Sequence, residues 1–116
     1  SEEENLEEIK PSVKLLNMIC RTEVRLFAPP SGAFNEHTLA ACSQLGLKVI
    51  MWSKDTIDWR DDDVNLIVSR ATNNLSSGDF VLMHPTSSTV QALPQILDYI
   101  RNCGLAACTV SHSLGE

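Results

Sequence analysis

Three short glycine turns, Leu45-Gly46-Leu47, Ser77-Gly78-Asp79 and Cys103-Gly104-Leu105, constrain this fold more than any other feature. Each follows a stretch with apolar residues at helical spacing, and each precedes a short apolar run. Glycine is favoured where a helix ends in a left-handed residue, so these turns read as helix stops that feed strands. The predicted strands are residues 24–27, 47–52, 80–83 and 105–110. The predicted helices lie between them: residues 2–19 with Leu6, Ile9, Val13 and Leu16 on one face, a helix capped by Asn35 with Leu39 and Cys42 inward, one beginning after Asp61, Asp62 and Asp63 with Val64, Ile67, Val68, Ala71 and Leu75 as its stripe, and one capped by Ser87 or Ser88 with Val90, Leu93, Leu97 and Ile100 inward. Residues 111–114 begin a last short helix or tail. Pro11 should kink the first helix or start a second, and Pro94 conflicts with the last pattern unless it sits in a first turn.

Strands that alternate with helices imply right-handed crossovers and a parallel sheet, an α/β class. The strands are apolar without clean alternation, as expected of strands covered on both faces. The turns before strands are short, while those after strands carry proline, histidine, aspartate and hydroxyl residues. Functional groups are therefore expected at the strand C-terminal ends. The 116 residues read as one α/β segment over 1–116.

Composition excludes some partners. The net charge of -6 disfavours a nucleic-acid backbone or an anionic membrane surface. Much of the acidity is Glu2, Glu3, Glu4, Glu7 and Glu8, which suit a solvated helix start. No stretch approaches the ~20 apolar residues of a membrane span. Of the four cysteines, Cys20 and Cys42 read as small core residues, and Cys103 and Cys108 as free thiols. A metal site from Cys103, Cys108 and His112 matches no common zinc spacing.

Two strand ends carry chemistry. Phe80-Val81-Leu82-Met83 ends in His84-Pro85-Thr86, and Val49-Ile50-Met51-Trp52 ends in Ser53-Lys54-Asp55, followed by Asp58-Trp59. A histidine there suits a general acid or base, and a nearby carboxylate would favour its charged form. The plainer readings are a hydrogen-bonded strand-end histidine, a loop cap for Asp55, a helix N-cap for Asp58, core for Trp52 and a turn residue for Ser31. His37 and His112 read as surface or capping residues.

The series Leu26-Phe27-Ala28-Pro29-Pro30-Ser31-Gly32, Trp52-Ser53-Lys54-Asp55-Thr56-Ile57-Asp58-Trp59 and Leu82-Met83-His84-Pro85-Thr86 resembles the C-terminal half of a polysaccharide deacetylase catalytic domain. This is the NodB-homology domain of carbohydrate esterase family four. The resemblance implies parallel βα units forming the second half of a (β/α) barrel of seven or eight strands. It implies a hydrolase that removes acetyl groups from N-acetylglucosamine units of chitin or peptidoglycan, with a divalent metal such as zinc and an extracytoplasmic or cell-wall location. His84 then matches the general acid. Asp55 or Asp58 matches its partner, with Asp55, at the strand end, preferred. Leu82 and Trp59 match walls around the acetyl methyl, and Ser31 stands where a backbone N–H contacts the oxyanion.

The sequence also departs from the family. Ala28 replaces the arginine of the Arg-x-Pro-Tyr-Gly pattern and Ser31 its tyrosine. The Thr-Phe-Asp-Asp-Gly and His-x-x-x-His segments that bring the base and metal ligands are absent. Two readings follow: one half of a deacetylase, completed by another segment or by self-association and inactive as this chain alone, or a non-catalytic relative that binds glycan or a protein. A flavodoxin-like phosphate binder is disfavoured, because Pro-Ser-Gly is not a phosphate loop.

Overall fold

The computed structural model describes residues 1–115, and the chain divides into two compact units, Ser1–Met51 and the residues from Trp52 onward. Each unit is helix packed on a pair of parallel strands.

In the first unit, helix α1 (Glu2–Cys20) starts in a capping box: the Ser1 hydroxyl accepts from the Glu4 N–H, and three glutamates fill the first turn. These carboxylates favour the positive end of the helix dipole. Pro11 lies inside the helix, which runs on without a break. Pro11 is exposed, so the site of its missing N–H faces water rather than core. Only Ile9 of the expected stripe is buried; Leu16 is 45% exposed and Cys20 is also exposed, against expectation. The apolar spacing continues past the point where the helix has a partner. Strand β1 (Leu26–Phe27) pairs in parallel with β2 (Lys48–Val49), Leu26 opposite Lys48 and Phe27 opposite Val49. Helix α2 (Glu36–Gln44) is capped by Asn35, whose Oδ1 accepts from the His37 and Thr38 N–H groups, and it ends before Gly46 at φ 68°. Ile9, Cys42 and Leu47 form the core, with Val13, Val24, Phe27, Leu45 and Val49 against it. Leu39, expected inward, is exposed.

In the second unit, β3 (Lys54–Asp55) pairs in parallel with β4 (Val81–Leu82). The expected strand over 47–52 is thus shorter than predicted, and β3 lies in what reads as loop. The Ser53 and Lys54 N–H groups both donate to the Phe80 carbonyl, so the backbone pairs again just where the apolar pattern ends. Helix α3 (Val64–Thr72) is capped by Asp63, whose Oδ1 accepts from Leu66 N–H at 3.1 Å. Helix α4 (Ser87–Asn102) is capped by Thr86 rather than by Ser87 or Ser88. The proline at residue 94 is interior to α4. The turns on either side of it are held by Ala92 and Ile96, buried against Ile67 and Ala71 of α3. That packing outweighs the lost backbone bond.

The inward face of α4 is Thr89, Ala92 and Ile96 with Ile100, not Val90, Leu93 and Leu97. Leu93 and Leu97 instead line an open cleft of about 690 Å³ with Phe80, Leu105 and Val110. The strand expected over 105–110 does not form. Residues 106–109 are exposed, and a strand without a neighbour has no ladder to fix it. A short helix α5 (Val110–Ser113) follows, capped by Thr109.

Candidate functional site

The chemistry of the second unit gathers at the C-terminal ends of β3 and β4. The parallel register sets Asp55 opposite Leu82. From there each chain leaves the sheet, one through Thr56-Ile57-Asp58 and the other through Met83-His84. Buried Thr56 keeps the two exits together, its hydroxyl donating to the Leu82 carbonyl at 2.8 Å and its N–H to the same oxygen at 3.3 Å.

Asp58 and His84 meet at this junction. Asp58 Oδ1 lies 2.7 Å from His84 Nδ1, and Oδ2 accepts from the His84 backbone N–H at 2.5 Å and from the Thr89 hydroxyl at 2.7 Å. The Asp58 side chain is fully buried, whereas that of His84 is 46% exposed. A buried carboxylate requires such partners. Burial alone would raise its pKa, but the His84 N–H, the imidazole and the Thr89 hydroxyl together hold it below the usual carboxylate range. Asp58 is therefore ionised at neutral pH. It orients the ring through Nδ1 and leaves Nε2 without a protein partner among the described residues.

The preferred partner, Asp55, does not bond to His84. Its Oδ1 instead accepts from the Ile57 N–H at 2.9 Å, two residues on. A carboxylate at the end of a strand can cap its own turn, and the next carboxylate is then delivered across to β4. Nor is Asp58 a helix cap, since that role falls to Asp63. Trp59, 65% exposed, follows the buried aspartate and presents an open aromatic surface. Leu82 and Trp52 are half-buried. Thr89 has no motif to announce it, because it reaches Asp58 only through the fold. Arg70 is likewise silent in sequence: from α3 it donates to the Thr56 carbonyl at 3.2 Å and to Asp61 Oδ2 at 2.6 Å.

Ser31 belongs to the first unit. It is exposed in a single 3₁₀ turn, Pro30–Gly32, with φ 57°. His37 is exposed on α2, where its N–H, not its ring, takes part in the cap. Among the described residues, no three His, Cys, Asp or Glu side chains converge as metal ligands, so the residues of this chain do not by themselves fit a divalent ion. No helix of the described residues is long and apolar enough to cross a membrane.

Comparison with known proteins agrees with this geometry. Residues 1–50 match the polysaccharide deacetylase family model. The chain is 36% identical over 98 residues to the peptidoglycan-N-acetylglucosamine deacetylase of Bacillus cereus, covering 79% of this chain and 46% of that protein. It is 32% identical over 90 residues to the uncharacterized protein YlxY of Bacillus subtilis, covering 78% of this chain and 28% of that protein. Among solved structures, it superposes on a carbohydrate esterase family four pseudoenzyme from Bacillus anthracis with a TM-score of 0.93 and 30% identity, covering 98% of this chain and 41% of that one. A mutant of that pseudoenzyme with restored enzymatic activity gives the same TM-score at 29% identity. The chain thus spans less than half the length of these relatives. Its parallel βα units are those of the deacetylase fold, and the chain belongs to the polysaccharide deacetylase family, carbohydrate esterase family four, as the C-terminal half of its catalytic domain.

Proposed function

We propose that this chain supplies the acid side of a polysaccharide deacetylase site acting on N-acetylglucosamine units of a cell-wall glycan, peptidoglycan or chitin. The observation that carries this reading is the buried, ionised Asp58 bonded to Nδ1 of His84. That contact leaves Nε2 as the atom that gives a proton to the departing amine when the acetamide C–N bond breaks. The buried carboxylate fixes the ring through Nδ1 without leaving its place. Trp59 offers a face for the sugar or the acetyl methyl, and Leu82 an apolar wall beside the histidine. In the first unit, the Ser31 position keeps a backbone N–H, a donor that survives the change of side chain. The described residues offer no ligand set for the family's divalent metal, and the role proposed for His84 and Asp58 uses only their own groups. On this reading the protein works outside the cytoplasm, at the wall.

A second reading is a non-catalytic domain that binds glycan or a protein partner. Ala28 in place of the arginine of the Arg-x-Pro-Tyr-Gly pattern and the likeness to a family pseudoenzyme favour it. The deciding experiment is amine release from chitooligosaccharide and from peptidoglycan by the full-length protein in the presence of zinc. The enzyme reading expects turnover that falls by roughly 10²–10⁴-fold in His84→Ala. Because the His84 ring is half exposed and its backbone N–H and the Thr89 hydroxyl still donate to Asp58, the variant should remain folded. Turnover unaffected by His84→Ala removes the acid role, and glycan binding with no turnover establishes the second reading.

A further inference from the structure

Ile57 adopts φ 52°. A β-branched residue in the left-handed region crowds its own backbone, and such a conformation persists only where its surroundings over-determine it. Here both backbone polar groups of Ile57 are held. The Ile57 N–H donates to Asp55 Oδ1, and its carbonyl accepts from the Arg60 and Asp61 N–H groups at 3.2 and 2.9 Å. The preceding carbonyl, of Thr56, accepts from Arg70 Nη1. The same guanidinium nitrogen bonds Asp61 Oδ2, so Arg70 ties the first and last residues of the turn to α3. Asp58 follows Ile57 inside this turn.

We propose that Arg70 is a positioning residue for the Asp58–His84 pair: it locks the 56–61 turn in its strained form, and the strained form aims the Asp58 carboxylate at β4. The guanidinium suits the task because its donors have fixed geometry and its charge does not titrate. Asp61, held at about 2 by Arg60 and Arg70, is charged at neutral pH. Without the clamp, Ile57 relaxes toward negative φ, and the next residue swings away from the His84 N–H. The catalytic consequence rests on the deacetylase reading, whereas the clamp itself does not.

The test uses the full-length protein with Arg70→Met, Arg70→Lys and the double variant Arg70→Met with Ile57→Gly. The readouts are the carbon-13 titration of the Asp58 carboxyl and the proton shift of the His84 amide, which reports its bond to Asp58. Arg70→Met should move the Asp58 midpoint upward and the His84 amide upfield. Where turnover is measurable, kcat should fall ~10–100-fold with KM little changed, the cost of misplacing a catalytic group. Arg70→Lys, which keeps the charge on a flexible stem without the planar guanidinium, should show part of the same change and covers the case in which Arg70→Met does not fold. Glycine takes positive φ without strain, so Ile57→Gly should restore both signals in the Arg70→Met background. Unaltered Asp58 and His84 signals in a folded Arg70 variant overturn the proposal, as does a double variant as perturbed as the single one. If both signals respond while turnover does not, the clamp stands and the general-acid role of His84 fails.

Discussion

The two units solve the same structural problem and end their strands differently. Each packs helices on two parallel strands around a small apolar core. In the first unit the chain leaves β1 through Ala28-Pro29-Pro30-Ser31-Gly32, a turn without an ionisable side chain. In the second it leaves β3 and β4 through Asp55, Asp58 and His84, with one buried carboxylate accepting three hydrogen bonds. The scaffold therefore places few demands on what stands at a strand end. A proline-rich turn stabilises itself through backbone geometry, whereas a buried carboxylate needs donors from another strand and a helix. The second solution ties site and fold together, and the first leaves them separable.

The largest test of this contrast is truncation of the cores. Ile67 is fully buried in the second unit, and Leu47 is 7% exposed in the first. Each to alanine should cost about 2–5 kcal/mol, with Ile67→Ala the more costly because its cavity has no route to solvent. Both tryptophans, Trp52 and Trp59, lie in the second unit. Denaturant unfolding followed by their fluorescence should register Ile67→Ala strongly, while amide exchange of the α2 region should register Leu47→Ala. A Leu47→Ala cost exceeding that of Ile67→Ala would break the comparison.

Acid and alkali should separate the units next. The Asp58 pKa is lowered, so the carboxylate stabilises the fold above the unfolded carboxylate value of ~3.9 and loses that contribution as pH falls through its folded value. Burial pushes the Cys42 thiol up. Its contribution is therefore complete below the unfolded thiol value of ~8.5 and fades as pH rises through the folded value. Urea midpoints followed by circular dichroism should fall at both extremes. Asp58→Asn should flatten the acid limb and Cys42→Ala the alkaline limb. Limbs that persist unchanged in both variants would show that other groups carry them.

The smallest effect is expected at Ser31. Its φ of 57° is a conformation that glycine holds more easily, so Ser31→Gly should stabilise the first unit by up to about 1 kcal/mol. A destabilised Ser31→Gly would mean that the hydroxyl has a partner which offsets the strain. It would also make this turn more like the one at Ile57, whose N–H and carbonyl are both held.

Much of the α/β pattern was legible in the chain. The Asn35 cap, the turns at Gly46 and Gly104 and the α3 stripe through Ile67 and Ala71 are local signals, and each appears where the spacing put it. The misses are non-local. The strand over 105–110 reads well by composition but has no neighbour to pair with. Leu93 and Leu97 keep helical spacing but face a cleft, because the seam between α3 and α4 is set by close packing of Ala71 and Ala92.

The site divides the same way. The amino-acid sequence by itself determined that strands and helices alternate, that polar chemistry collects after the strands, and that His84 stands at one strand end with two aspartates after another. Those properties follow from period, turn residues and chain direction. Only the tertiary structure decided which aspartate serves the histidine. Asp55 turns back on its own backbone, and Asp58 is carried across to β4 by a left-handed Ile57. Arg70 and Thr89, from two different helices, then hold the turn and the carboxylate. The physical reason is reach: hydrogen bonds act over about 3 Å, and no pattern along the chain encodes which residues the packing of distant helices brings within that distance.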